Sequence, residues 1–185
     1  GQNKNCGFNV RGGTMILESG SIVNCKTDGD GAAVDVSNSG VTETPIKYGK
    51  FIMNGGAIMD CKADDDAGAV DIGSGCTFIM NGGTICNNVN NGNGGGVNNA
   101  GTFELKGGTI CNNQAVGGSG LGTGGGIRNT ETGTLTINGG RICGNYAVNG
   151  GCGVFNYSGH LIMTGGVITG NYGGQRGGGI SHRAD

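Results

Sequence analysis

The chain has 185 residues, of which 46 are Gly and one is Pro, and 13 acidic side chains against 11 basic ones leave a net charge of −2. Gly this dense excludes long amphipathic helices, its lack of a three-residue period excludes collagen, and the charge leaves no basic footprint for nucleic acid. No apolar run approaches the roughly 20 residues of a membrane helix, so the chain is either disordered or a repeat.

Read in chain order, the polar start GQNKNCGFNV fits a processed or excised segment. Six similar segments follow: TMILESGSIVNC (14–25), KFIMNGGAIMDC (50–61), TFIMNGGTICNN (77–88), TFELKGGTICNN (102–113), TLTINGGRICGN (134–145) and HLIMTGGVITGN (160–171). Each is followed by a run of small residues ending in Val or Ile: Val34, Val70, Val97, Ile127, Val154 and Ile180.

The first apolar residue of each segment (Met15, Phe51, Phe78, Phe103, Leu135, Leu161) lies seven residues before Ile22, Ile58, Ile85, Ile110, Ile142 and Ile168. From that Ile to the next Val or Ile the spacing is twelve in five copies and seventeen in the fourth. Only the return to the next copy varies freely. Two sides of a coil are fixed and the third takes insertions, which is the signature of a solenoid.

The opening tetrapeptides alternate with a period of two, the strand signal. Their first and third columns are apolar. The middle column (Ile16, Ile52, Ile79, Glu104, Thr136, Ile162) accepts charge and is expected to face outward. Gly-rich corners supply the positive φ that sharp bends require. The expected fold is all-β: one single-stranded parallel β-helix, a β-solenoid with three short strands per rung and six to seven rungs, right-handed like most parallel crossovers. It forms one domain over residues 1–185, a subunit or fragment of a longer assembly, with inserted loops near 37–48 and 114–122.

Columns also give the candidate sites. The Ile series forms the core ladder. Asn88, Asn113, Asn145 and Asn171 share one position, and Asn99, Asn129 and Asn156 another; stacked amides can donate to one rung and accept from the next. Eight Cys without a CxxC pair argue against zinc ribbons and thioredoxin-like sites. Cys25 and Cys61 occupy one column, with Cα atoms about 5 Å apart, within disulfide reach. Cys86, Cys111 and Cys143 occupy another, giving Cys86–Cys111 and leaving Cys143 to meet Cys152. Cys6 and Cys76 have no evident partner.

Eight of the nine Asp lie between positions 28 and 71. Asp28, Asp30, Asp35, Asp64, Asp66 and Asp71 are the calcium candidates, since Ca²⁺ collects carboxylate and carbonyl oxygens, although their spacing matches no calcium loop; the alternative is a solvated acidic face with Lys26 and Lys62 stacked nearby. No other cofactor is expected. The Asp-rich rungs lack sugar-stacking aromatics and a companion Arg or His on the same rungs, Arg128, Arg141 and Arg176 lying in later ones, and so short a solenoid is expected to form little cleft. His160 and His182 fall in different columns. Asn156-Tyr157-Ser158 matches a glycosylation acceptor, but turn chemistry explains it equally well.

The stretch GGGIRNTETGTLTINGGRICGNYAVNGGCGVFN resembles the repeats of bacterial adhesin-like, right-handed β-helix surface proteins, and more distantly those of polymorphic outer-membrane proteins. The resemblance covers nearly the whole chain from about residue 7. It implies a secreted or cell-surface protein, with Cys standing where Ser, Gly or Asn is usual. The expected function is therefore a non-enzymatic extracellular structural or adhesive module. It would stack head to tail on itself or on further rungs through open ends and carry a carbohydrate or host-surface ligand. The alternative is a carbohydrate-active β-helix, lyase- or hydrolase-like, using the Asp-rich rungs.

Overall fold

The computed structural model describes residues 7–38, 42, 44–118, 120–174 and 176–184. Every strand pair in it is parallel and joins equivalent positions of successive repeats. The first sheet has seven strands, from Phe8–Arg11 through Val34–Ser37, Val70–Ile72, Val97–Asn99, Ile127–Asn129 and Val154–Tyr157 to Ile180–Arg183. The second stacks the six tetrapeptides Thr14–Leu17, Lys50–Met53, Thr77–Met80, Thr102–Leu105, Thr134–Ile137 and His160–Met163. The third stacks six Ile-centred strands, such as Thr84–Cys86 and Thr109–Cys111.

A fourth sheet adds a two-residue bridge to the three strands expected in each rung. It is built of two-residue strands, Lys26–Thr27, Lys62–Ala63, Val89–Asn90, Gln114–Ala115, Tyr146–Ala147 and Tyr172–Gly173. Two residues are too few to show a period, so the sequence gives no strand signal there.

Corners are set by left-handed residues. The second Gly of each Gly-Gly or Ser-Gly pair has φ between 75° and 87° at Gly20, Gly56, Gly83, Gly108, Gly140 and Gly166. Two residues after each ladder Ile, Asn24, Asp60, Asn87, Asn112, Gly144 and Gly170 repeat the turn with φ of 55–64°. Asn, Asp and Gly are the residues that adopt this region most readily.

Inside, the columns run as ladders. Ile58, Ile85, Ile110 and Ile142 are buried in register. Phe51, Phe78 and Phe103 stack with ring centroids 4.9 and 4.7 Å apart and planes within 14°, an offset-stacked geometry favourable to aromatic pairs. The middle column of the second sheet, Glu104 included, faces outward. The core is thus a bundle of columns, which explains how a chain only 35% hydrophobic fills it.

The loop near 37–48 begins after a regular strand that runs through Ser37, and residues 39–41 and 43 of it lie outside the described part. Its Tyr48 ring covers Gly75. In the fourth repeat Gln114–Ala115 is still regular, so the insertion starts later than 114. Val116 and Gly122 each donate to the preceding rung, at Asn90 and Gly92, and the extra residues loop out between them.

Candidate functional site

Sheet register places one outward column of the first sheet as Asn9, Asp35, Asp71, Asn98, Arg128, Phe155 and Ser181. Charge changes along it from acidic to basic. Asn9 Nδ2 donates to Asp35 at 2.9 Å, and Ser37 Oγ donates to the same carboxylate at 3.2 Å. Asn98 Nδ2 donates to Asp71 at 2.9 Å, and Arg128 donates to Asn98 Oδ1 at 3.2 Å. Arg128 also lies 3.8 Å from Asp66. It stands two rungs beyond Asp71 yet reaches back along the column. Arg128 thus belongs to a later rung, as its place in the sequence implies, and its long side chain brings a cation to Asp66 across the rungs.

The acidic end is protonated more easily than ordinary carboxylates. Burial raises Asp71 to about 7 despite the hydrogen bond from Asn98, with Asp30, Asp35 and Asp66 adding repulsion. Burial likewise raises Asp66, which Arg128 opposes, and Asp35, which the Ser37 hydrogen bond opposes. Of the other calcium candidates, Asp28, Asp30 and Asp64 are exposed, and Asp30 accepts the main-chain N–H of Asp66 at 3.2 Å. No group of three or more His, Cys, Asp or Glu side chains among the described residues is arranged to hold a metal ion.

Beyond Arg128 the same face opens into a groove of about 450 Å³, within the range of small-ligand sites. The groove is larger than the little cleft expected of so short a solenoid. Arg128, Phe155, Tyr157 and Arg183 come from the sheet, Leu121 from the fourth-repeat insertion and Arg176 from the last corner. The Arg183 guanidinium sits 5.7 Å over the Tyr157 ring, and the Phe155 and Tyr157 rings are nearly parallel, 6.4 Å apart. Three of the chain's five Arg thus converge beside two aromatic faces. Planar guanidinium forks suit carboxylate, sulfate and phosphate groups, and ring faces suit flat apolar surfaces. The insertion, which sequence marked only as a protrusion, is one wall of this groove.

The buried polar columns hold the scaffold behind it. Asn88 Nδ2 donates to Asn113 at 2.9 Å, Asn113 to Asn145 at 3.0 Å and Asn145 to Asn171 at 2.8 Å. Each acceptor oxygen also takes the main-chain N–H of the preceding Asn, at 2.9–3.0 Å. Gly96, Gly126 and Gly153 pass so close that a Cβ would lie 3.1, 3.0 and 2.9 Å from the next ladder amide. The second ladder runs Asn99 to Asn129 to Asn156, each step 2.6 Å, and ends on His182 Nδ1 at 2.8 Å. Asn156 is fully buried, so the glycosylation reading fails. A third, exposed series escaped the sequence reading: Asn81 donates to Asn54 and Asn54 to Glu18, just before the Gly-Gly corners.

All seven described cysteines are free thiols, and Cys6 lies outside the described residues. Cys25 and Cys61 are adjacent, as are Cys86 and Cys111, but in-register strands hold equivalent side chains parallel at about 4.8 Å. A disulfide needs its Cβ atoms at roughly 3.5–4.5 Å with the two side chains turned toward each other. Cys143 and Cys152 are on opposite faces: Cys143 follows the inward Ile142 and points out, whereas Cys152 is buried with Ala115 and Ala147. Cys76 is buried in the main core. Burial and the neighbouring Cys25 push the Cys61 thiol up to about 12.

Comparison with protein-family models, with curated proteins and with solved structures finds no match. No helix among the described residues is long and apolar enough to cross a membrane.

Proposed function

We propose that the protein is a non-enzymatic, extracellular structural and adhesive solenoid that continues end to end and presents the arginine-lined groove to its ligand. The observation that carries this reading is the fate of the core columns at the two terminal rungs. In the column Phe8–Val34–Val70–Val97–Ile127–Val154–Ile180, the five inner members are 0% exposed, whereas Phe8 is 48% and Ile180 39% exposed. Met163 ends another core column in the same way, and Met15, Leu17, Leu161 and Ile168 are only partly covered. Apolar side chains that successive rungs cover elsewhere in these columns stay partly open to solvent at the first and last described rungs. The edge strand of a parallel sheet can offer main-chain donors and acceptors in the same register to a further strand. A further rung, from a second copy or from the rest of a longer chain, satisfies both, and a head-to-tail contact of this kind propagates rather than closes.

Negative-stain microscopy of the 185-residue chain tests the reading, with unbranched rods expected. Discrete single particles at every concentration would contradict it.

A second reading, a carbohydrate-active β-helix, has one observation in its favour: Asp66, whose pKa is raised, lies 3.8 Å from the groove residue Arg128, and Asp71, raised to about 7, is linked to Arg128 through Asn98. A carboxyl group whose pKa lies near 7, as at Asp71, suits general acid catalysis. Product release from a uronate polymer that disappears in Asp35→Asn with Asp71→Asn would favour this reading over the scaffold.

A further inference from the structure

The third sheet carries an outward column in the order Val23, Met59, Cys86, Cys111, Cys143 and Thr169. Three thiols therefore stack on three consecutive rungs, with a thioether on the next. Their direction is fixed because each follows a ladder Ile that points into the core. All three are partly buried, and none is joined in a disulfide. Burial together with the neighbouring thiols of Cys86 and Cys143 pushes Cys111 up to about 11.

The spacing decides what such a row can bind. Adjacent thiols sit on strands about 4.8 Å apart, too far for an S–S bond of about 2.05 Å without turning the side chains toward each other. The same spacing is close to twice a metal–thiolate bond of about 2.3 Å. Zinc requires four donors converging tetrahedrally, and among the described residues no three such side chains converge. Donors in a straight line, two at a time, instead match soft monovalent cations that accept two collinear thiolates.

We propose that Cys86, Cys111 and Cys143 form a binding row for one soft, two-coordinate cation of the Cu(I) or Ag(I) type, held between Cys111 and either neighbour. Binding forms two metal–sulfur bonds and releases two thiol protons to solvent, with no change of oxidation state. Cys111 belongs to both pairs, so it is the residue the row cannot lose. The site lies on a different sheet from the groove and does not depend on it.

Silver(I) alone, titrated into the reduced 185-residue chain under anaerobic conditions and read by native mass spectrometry, tests the proposal. Cys111→Ser is expected to lose one bound silver relative to the unmodified chain, whereas Cys86→Ser and Cys143→Ser each retain it. Cys111→Ala, with circular dichroism on every variant, separates loss of the site from loss of the fold. Retention of the full silver count in both folded Cys111 variants would overturn the proposal. So would a zinc(II) ion bound more tightly than silver at this row.

Discussion

The main-chain N–H of Cys61 donates to Oδ1 of Asn88 at 3.0 Å, joining a two-thiol column to a four-amide column without a break in register. Cys25, Cys61, Asn88, Asn113, Asn145 and Asn171 are therefore one line of residues at one corner of the solenoid. From Asn88 onward the corner is closed by amides that satisfy both the backbone and each other, while the first two rungs use small, weakly polar thiols. Substitutions in this line should cost most where both neighbours are amides.

With Asn145, Asn113 is one of the two such positions. Replacing it with Ala removes the acceptor for the Asn88 main-chain and side-chain N–H groups and the donor to the Ile85 carbonyl. Buried polar groups left without partners cost about 1–3 kcal/mol each before relaxation, so Asn113→Ala should lose about 2–4 kcal/mol in urea unfolding. Asn171→Ala, at the partly buried end of the line, should lose less than half as much. Equal losses at the two positions would mean that the amides act singly rather than as a ladder.

Inside and outside are separated by a second pair. Ile110→Asp places an unpaired charge among Ile85, Ile142 and the stacked core, and should prevent folding as read by far-ultraviolet circular dichroism. Glu104→Lys removes only a surface ion pair with Lys106 at 3.2 Å and an exposed hydrogen bond from Asn138. Its cost should be below about 1 kcal/mol.

Stability should fall as pH rises through the range where Asp71 titrates. Its folded pKa is raised to about 7 from an ordinary value of 3.8, so between these values the folded state binds more protons than the unfolded state. Stability contributed by the protonated form is complete below about pH 4 and is lost by about pH 7, with Asp35 and Asp66 acting in the same direction. Asp71→Asn should remove most of this dependence and stabilise the protein above pH 7 by on the order of 2 kcal/mol. Urea midpoints at pH 5 and pH 8 for both proteins check the sign; a midpoint that rises with pH in the unmodified chain contradicts it.

Most of the architecture was legible because a solenoid repeats its environment. Seven residues from Phe78 to Ile85 and twelve from Ile85 to Val97 locate two sheets and their inward columns directly. The groove was not legible, because its residues come from unlike columns: Arg128 and Phe155 share one, while Leu121 and Arg176 sit at insertions and corners. The reach of Arg128 to Asp66 was hidden for the same reason, since a long side chain crosses rungs that the alignment keeps apart. For the cysteines, sequence gave the backbone spacing but not the side-chain direction, and direction is what separates adjacent thiols from a disulfide.

Light scattering over a concentration series measures the central claim most directly. The 185-residue chain is expected to grow in mean mass with concentration, through contacts between the rung that carries Phe8 and the rung that carries Ile180. Phe8→Asp with Ile180→Asp should hold it at monomer mass while preserving its circular dichroism. A folded, unmodified chain that stays monomeric at the highest concentration would contradict end-to-end continuation.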